Sequence, residues 1–333
     1  MKIAPSPRIV SRTLAAIVVL TLAAGTATAG QNLGGDVYYE RAFVRAAQDK
    51  CRLFEPRLTQ ALEAATLQAR GAALRAGRPA TELAATAARA TARAEATPCN
   101  DAELGRVKTR VRHAFAGWSR AARINFPGDK AVWSADRFES SRDGWRLFQD
   151  GATGASPVRF GLTGRAPQDA RPAAVVSFVG KPRPYTARIV MRDAARSPRP
   201  WLAGDGLPPE AARRAVFAAG SDLAPRDLLA SGARAGEVWR FPDSAAEALA
   251  ALDPREPFLI EFLFRDDSVA TARFEAGDFA AAGRVADMDH VPEVKMLDDG
   301  KRIGGVVIHV VAGIDLARAA MAARARSIPA TTW

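Results

Sequence analysis

From Val37 onward the apolar positions recur at helical spacing. Val37, Val44, Ala47, Cys51 and Phe54 follow one another at steps of 7, 3, 4 and 3, which places them on one stripe of a helix and turns Cys51 inward. Pro56 ends that helix and opens the next, because the first helical position needs no N–H donor. The second helix runs to Gly77, a residue suited to a C-terminal cap, and Pro79 opens a third, alanine-rich helix that ends near Thr97. Asn100, with Glu103 three residues on, starts a fourth in the manner of a capping box. Its stripe is Leu104, Val107, Val111, Ala114, Phe115, Trp118 and Ala122, so residues 36–124 are expected to be helical almost throughout. Joints this short force neighbouring helices to run antiparallel, which puts the end of the first helix, with Cys51, at the same end as the joint that carries Cys99.

After Asn125-Phe126-Pro127-Gly128-Asp129 the texture changes to short β-type runs separated by Gly and Pro. Strands are predicted at 145–149, 158–163, 173–179, 185–192, 237–241, 258–264 and 269–275, with 265–268 joining the last two as a hairpin. Further on, Asp298-Asp299-Gly300-Lys301 reads as a tight turn between strands at 293–297 and 302–311. Helices are predicted at 209–219, 244–252 and 315–326. Strands and helices do not alternate regularly, which argues against a doubly wound sheet. The expected fold is α+β: an N-terminal disulfide-closed up-down helical bundle (30–128), a mainly antiparallel β-sandwich with helical insertions (129–327), and a short tail (328–333).

The first 29 residues have a different pattern. Lys2, Arg8 and Arg12 occur without an acid, an apolar run covers 14–24, and Ala27-Thr28-Ala29 precedes Gly30, the three parts of a signal peptide cleaved after Ala29. The run is well short of the roughly 20 residues that cross a bilayer, and no later run reaches that length, so no transmembrane segment is expected after cleavage. A bacterial periplasmic or secreted location follows. In that setting two cysteines are read as a disulfide, Cys51–Cys99. It closes a loop of about 50 residues, for which chain entropy gives about 4 kcal/mol.

Composition narrows the function classes. With 48% hydrophobic and 25% charged residues the chain is globular, which excludes collagen-like, mucin-like and multi-span membrane proteins. The charge is unevenly placed: residues 30–130 hold 17 Lys and Arg against 10 Asp and Glu, whereas 131–333 hold 27 against 26. Arg106, Lys108, Arg110, Arg112, Arg120 and Arg123 flank or oppose the stripe of the fourth helix and form a candidate contact surface for an anionic envelope polymer or an envelope protein. The competing reading is a solvated face, since Arg outnumbers Lys 40 to 7 along the whole chain. Export and the lack of interleaved stacking aromatics argue against nucleic acid.

Catalytic chemistry finds little support. His113 reads as a surface residue and His309 as a strand residue in the run 306–311. Around His290, Asp287, Asp289 and Glu293 are metal-ligand types, but adjacent residues on a turn point different ways, and a polar loop is expected. There is no Gly-x-Ser-x-Gly elbow and no phosphate loop, and the carboxylate pairs Asp266/Asp267 and Asp298/Asp299 sit in turns. Trp145, Trp201 and Trp239 are read as core residues, with a pocket or sugar-binding face as the alternative. No catalytic residue, metal or cofactor is expected. The expectation is a non-enzymatic binding or interaction module; the alternative is an envelope hydrolase with an Asp/Glu acid–base pair in the β region, which two facing carboxyls in a cleft would mark.

One stretch resembles a known family. Phe241-Pro242-Asp243-Ser244, the helix with Ala248, Leu249 and Leu252, the strands at 258–264 and 269–275, and Gly277-Asp278-Phe279-Ala280-Ala281 are similar to the C-terminal end of exported bacterial proteins of the invasion-associated locus B family. The resemblance implies a small β-sandwich closed by a strand pair and a Gly-Phe turn into a short helix. It also implies a cell-envelope location, and it brings no catalytic residues.

Overall fold

The computed structural model describes residues 26–288, apart from 119, 139–141, 181, 205 and 231, together with 308 and 309. The charged and apolar parts of the signal peptide, His290, the 298–301 turn and the 315–326 helix lie outside the described residues.

Four helices lead: α1 Thr26–Cys51, α2 Pro56–Arg75, α3 Ala80–Ala96 and α4 Ala102–Trp118. Pro56 begins α2 as its sequence position requires. At its other end Gly77 adopts φ 88°, and the N–H groups of Gly77 and Arg78 return to the carbonyls of Leu74 and Ala73, closing the last turn. The cap of α4 is Asp101, one residue beyond the expected Asn100. Its Oδ1 accepts from the N–H groups of Glu103 at 2.8 Å and Leu104 at 3.1 Å. Cys51 and Cys99 are bridged, with Cα atoms 5.5 Å apart. Beside the bridge, Lys50 Nζ donates to the carbonyls of Glu95 at 2.6 Å and Thr97 at 2.9 Å, placing a cation on the unpaired carbonyls that end α3. Val44, Ala47, Leu58, Leu62, Leu104 and Phe115 fill the space among the helices.

The fourth helix is shorter than its apolar stripe suggested. It stops at Trp118, and Arg120 follows in a turn. Arg123 belongs to β1 Arg123–Pro127, which pairs antiparallel with β2 Val132–Asp136. Ile124 and Phe126 are fully buried between less buried neighbours, a period of two that the sheet selects over the helical continuation offered by Ala121 and Ala122.

The seven predicted strands are present as β3 Gly144–Thr153, β4 Ser156–Gly164, β5 Arg171–Val176, β6 Thr186–Arg192, β9 Glu237–Arg240, β10 Pro257–Leu263 and β11 Val269–Glu275. The helix expected at 209–219 is not formed. A single 3₁₀ turn, Glu210–Ala212, leads into β7 Arg213–Phe217, whose backbone pairs with β6; β8 Gly220–Leu223 then pairs with β9. Ladder hydrogen bonds and the burial of Val216 override the helical preference of Glu210, Ala211 and Ala212. The helices α5 Ser244–Ala250 and α6 Phe279–Ala286 complete the sequence with β12 Ile308–His309.

These strands form an eight-stranded sheet of order β12-β1-β2-β3-β4-β5-β9-β8 and a four-stranded sheet of order β11-β10-β6-β7. All pairings are antiparallel except that of β12 with β1. One cluster of apolar side chains joins both sheets. Phe160 of β4 lies 5.3 Å from Phe258 of β10, and Trp133 of β2 lies 5.0 Å from Phe279 of α6. At the rim the Gln149 side chain acts as a strand neighbour for β11: its Nε2 donates to the Glu275 carbonyl at 3.1 Å and its Oε1 accepts from the Glu275 N–H at 2.9 Å. The same apolar cluster includes Ala64 and takes in Leu67, both of α2, so the helices and the sheets share packing through α2 and α6.

Candidate functional site

A small cleft of about 70 Å³ opens where α2 meets the end of β11 and the start of α6. Leu67, Arg70 and Gly71 form one wall; Leu249, Leu252 and Phe279 contribute to the other. Asp278 enters it from the turn that precedes α6. That turn is built by Gly277, at φ 48°, a left-handed conformation that favours glycine.

Asp278 is not free to react. Arg75 Nη1 donates to its Oδ1 at 2.8 Å and Nη2 to its Oδ2 at 3.1 Å, and the two side chains are 5% and 1% exposed. Burial pushes the Asp278 carboxyl upward from its ordinary pKa, an effect that Arg75 opposes and nearby Asp129 reinforces. Gly71 makes the approach possible, since a Cβ there would stand 2.6 Å from Asp278 Oδ1.

The other buried carboxylates are held in the same way. Arg192 grips Glu256 through Nε at 2.6 Å and Nη2 at 2.8 Å, and Glu256 also accepts from the N–H groups of Trp201 and Asp253. Burial raises the Asp253 carboxyl, but hydrogen bonds from the Arg255 side chain and backbone outweigh it and leave the group below its ordinary range. Asp136 accepts from Arg123. Such arginine contacts stabilise structure and occupy the oxygens that an acid–base role would need. The cleft therefore brings together one arginine-bound carboxylate, an exposed Arg70 and apolar walls.

The six basic residues read from the sequence do not form one helix face. Arg106, Lys108, Arg110 and Arg112 lie on α4, Arg120 in the turn that follows, and Arg123 on β1. Arg106 Nε donates to Glu103 at 3.0 Å, and Arg110 reaches the same carboxylate at 3.5 Å; both arginines remain exposed. The hydrogen bond and charge of Arg106 hold the Glu103 carboxyl below its ordinary range. Lys108 is half-buried, while Arg112, His113 and Arg120 are exposed.

The three tryptophans separate as well. Trp145 is buried and donates to the Leu228 carbonyl at 2.9 Å, Trp239 is buried against Phe262, and Trp201 is half-buried near Glu256. Among the described residues no group of three His, Cys, Asp or Glu stands close enough to hold a metal ion, and no helix is long and apolar enough to cross a membrane. The Arg75–Asp278 pair spans a separation that no local pattern encodes. Its one trace in the sequence is Gly71, a glycine inside a helix where it costs stability unless something must come close. No protein-family model, curated protein or solved structure matches the chain.

Proposed function

We propose that this chain is an exported bacterial envelope protein, periplasmic or secreted, that works as a non-enzymatic binding module for an anionic envelope polymer. In this reading the N-terminal helices form a disulfide-closed up-down bundle docked on a β-sandwich, as the resemblance to the invasion-associated locus B family suggests for the latter. The observation that carries the proposal is the charge of the stretch 102–120: Arg106, Lys108, Arg110, Arg112 and Arg120 stand against Glu103 alone. Arg106 and Arg110 are 69% and 72% exposed, so their charge is offered to solvent and not absorbed by the fold. Such a surface attracts clustered phosphates through charge, with an affinity that falls as salt is added.

The competing reading, an envelope hydrolase with an Asp/Glu acid–base pair, is weakened by the arginine partners of Asp136, Asp253, Glu256 and Asp278. Co-sedimentation with vesicles of phosphatidylglycerol, against vesicles of phosphatidylcholine alone, tests the proposal. Binding to the anionic vesicles at low salt that disappears at high salt supports it. Equal behaviour toward both vesicle types removes the anionic partner and leaves an envelope protein as the ligand.

A further inference from the structure

Arg146 lies at a β-bulge, where the register between β3 and β4 shifts from the pair Trp145/Thr163 to the pair Leu147/Leu162. Bulges re-aim side chains. The register Ala135/Leu147 sets Arg146 opposite Asp136, and Asp136 is paired in turn with Arg123, so Arg123, Asp136 and Arg146 form a row across β1, β2 and β3. The Arg146 side chain is buried, with the residue only 2% exposed. Its Nη1 donates to the Phe138 carbonyl at 2.8 Å, but Nε and Nη2 have no acceptor among the described residues. The carboxylate of Asp136 is already engaged: Oδ1 accepts from the Phe138 N–H at 2.9 Å, and Oδ2 accepts from Arg123 Nε at 3.0 Å and from its Nη2. The Asp136 carboxylate is thus taken up by Arg123 and the Phe138 N–H, and the charge of Arg146 beside it sits in a place where charge is costly to bury.

The unpartnered edge is informative. Nε and Nη2 are the side of the guanidinium that grips two oxygens at once. In this protein Arg159 turns that edge to Asp150, Arg192 to Glu256 and Arg255 to Asp253, in each case with one nitrogen on each oxygen. At Arg146 the same edge meets no acceptor among the described residues.

We propose that Arg146, supported by Arg123, is a binding site for an oxyanion, the phosphate or carboxylate group of a ligand held by two oxygens on Nε and Nη2. The site is separate from the α4 surface and does not depend on it. The free edge is buried, so an anion reaches it only when the surrounding side chains move, and the bond formed is shielded from solvent.

Titration of the full exported chain with inorganic phosphate, by calorimetry and by thermal melting against chloride at equal ionic strength, tests the site. The native protein is expected to bind one phosphate and melt higher in its presence. Arg146→Lys keeps the charge and loses the fork, and should weaken binding at least tenfold. Arg146→Met should abolish the phosphate response while its Tm in chloride stays the same or rises, since an unpaired buried charge has been removed. A parallel titration with phosphatidylglycerol vesicles identifies the source: a response to vesicles alone that Arg146→Lys weakens assigns the oxyanion to a lipid headgroup and upholds the site. The proposal is overturned if neither probe binds, if Arg146→Lys binds both as the native protein does, or if Arg146→Met melts far lower in chloride with its phosphate response intact.

Discussion

Arg75, at the end of α2, holds both oxygens of Asp278, at the start of α6, across 203 residues of sequence. The pair sits where the helices meet the sheets, and almost no solvent reaches it. Asp278→Asn replaces one of the two oxygens that accept from Arg75 with an NH2 donor and leaves a buried Arg75 N–H without its acceptor, a change that costs about 1–3 kcal/mol. Urea denaturation measures it, and loss of the helical and sheet signals at separate midpoints would show that the junction had come apart first.

Gly71 tests the same contact without altering charge. Its Cβ would meet Asp278 Oδ1 at 2.6 Å, so Gly71→Ala has to push the carboxylate off Arg75 or move α2. A destabilisation of about 1–3 kcal/mol is expected, despite the better helix propensity of alanine. Because both changes act on one contact, Gly71→Ala combined with Asp278→Asn should cost less than the two single losses added together.

The acid limb of stability separates two carboxylates. Asp253 is held below 3.8 in the folded protein, so the unfolded chain binds its proton more readily. Its contribution is present above pH 3.8 and is lost as pH falls through the folded value. Asp278 lies above 3.8, which has the opposite sign: its contribution is largest in acid and declines as pH climbs through the raised value. Stability measured between pH 3 and pH 6 should therefore change its slope in opposite directions in Asp253→Asn and Asp278→Asn.

Reduction of the Cys51–Cys99 bridge should destabilise the protein by about 4 kcal/mol, the chain-entropy value for a loop of roughly 50 residues. The end of α1 and the end of α3 would then be held by Lys50, the Arg93 guanidinium over the Phe43 ring and apolar packing. Hydrogen exchange at the end of α3, compared before and after reduction, locates the effect.

How far these features were legible depends on the range over which each is encoded. The four helices follow from local spacing, and the cysteines at one end follow from short joints between antiparallel neighbours. The strands that carry alternating large apolar residues, such as β10 and β11, were equally readable. The helical stripe continues in the sequence through Ala122 toward Arg123, because alanine fits a helix and a sheet entry alike; pairing with β2 decides for the sheet. The stretch 209–219 is ambiguous in the same way, since Glu210, Ala211 and Ala212 favour a helix until the open side of β6 supplies ladder partners. Of the cleft, the turn at Gly277-Asp278-Phe279 was visible. Arg75 read as an ordinary basic residue in a last helical turn, and nothing within its own segment points to Asp278.

The most direct test of the account is vesicle binding by a variant in which Arg106, Lys108, Arg110 and Arg112 of α4 are all changed to Ser. These side chains contribute little to the core, so the variant should keep its fold and its disulfide. The native protein is expected to bind phosphatidylglycerol vesicles at low salt and the variant to lose at least tenfold in affinity, with the native value falling toward that of the variant as salt is raised. Native and variant proteins binding equally well at low salt would contradict it.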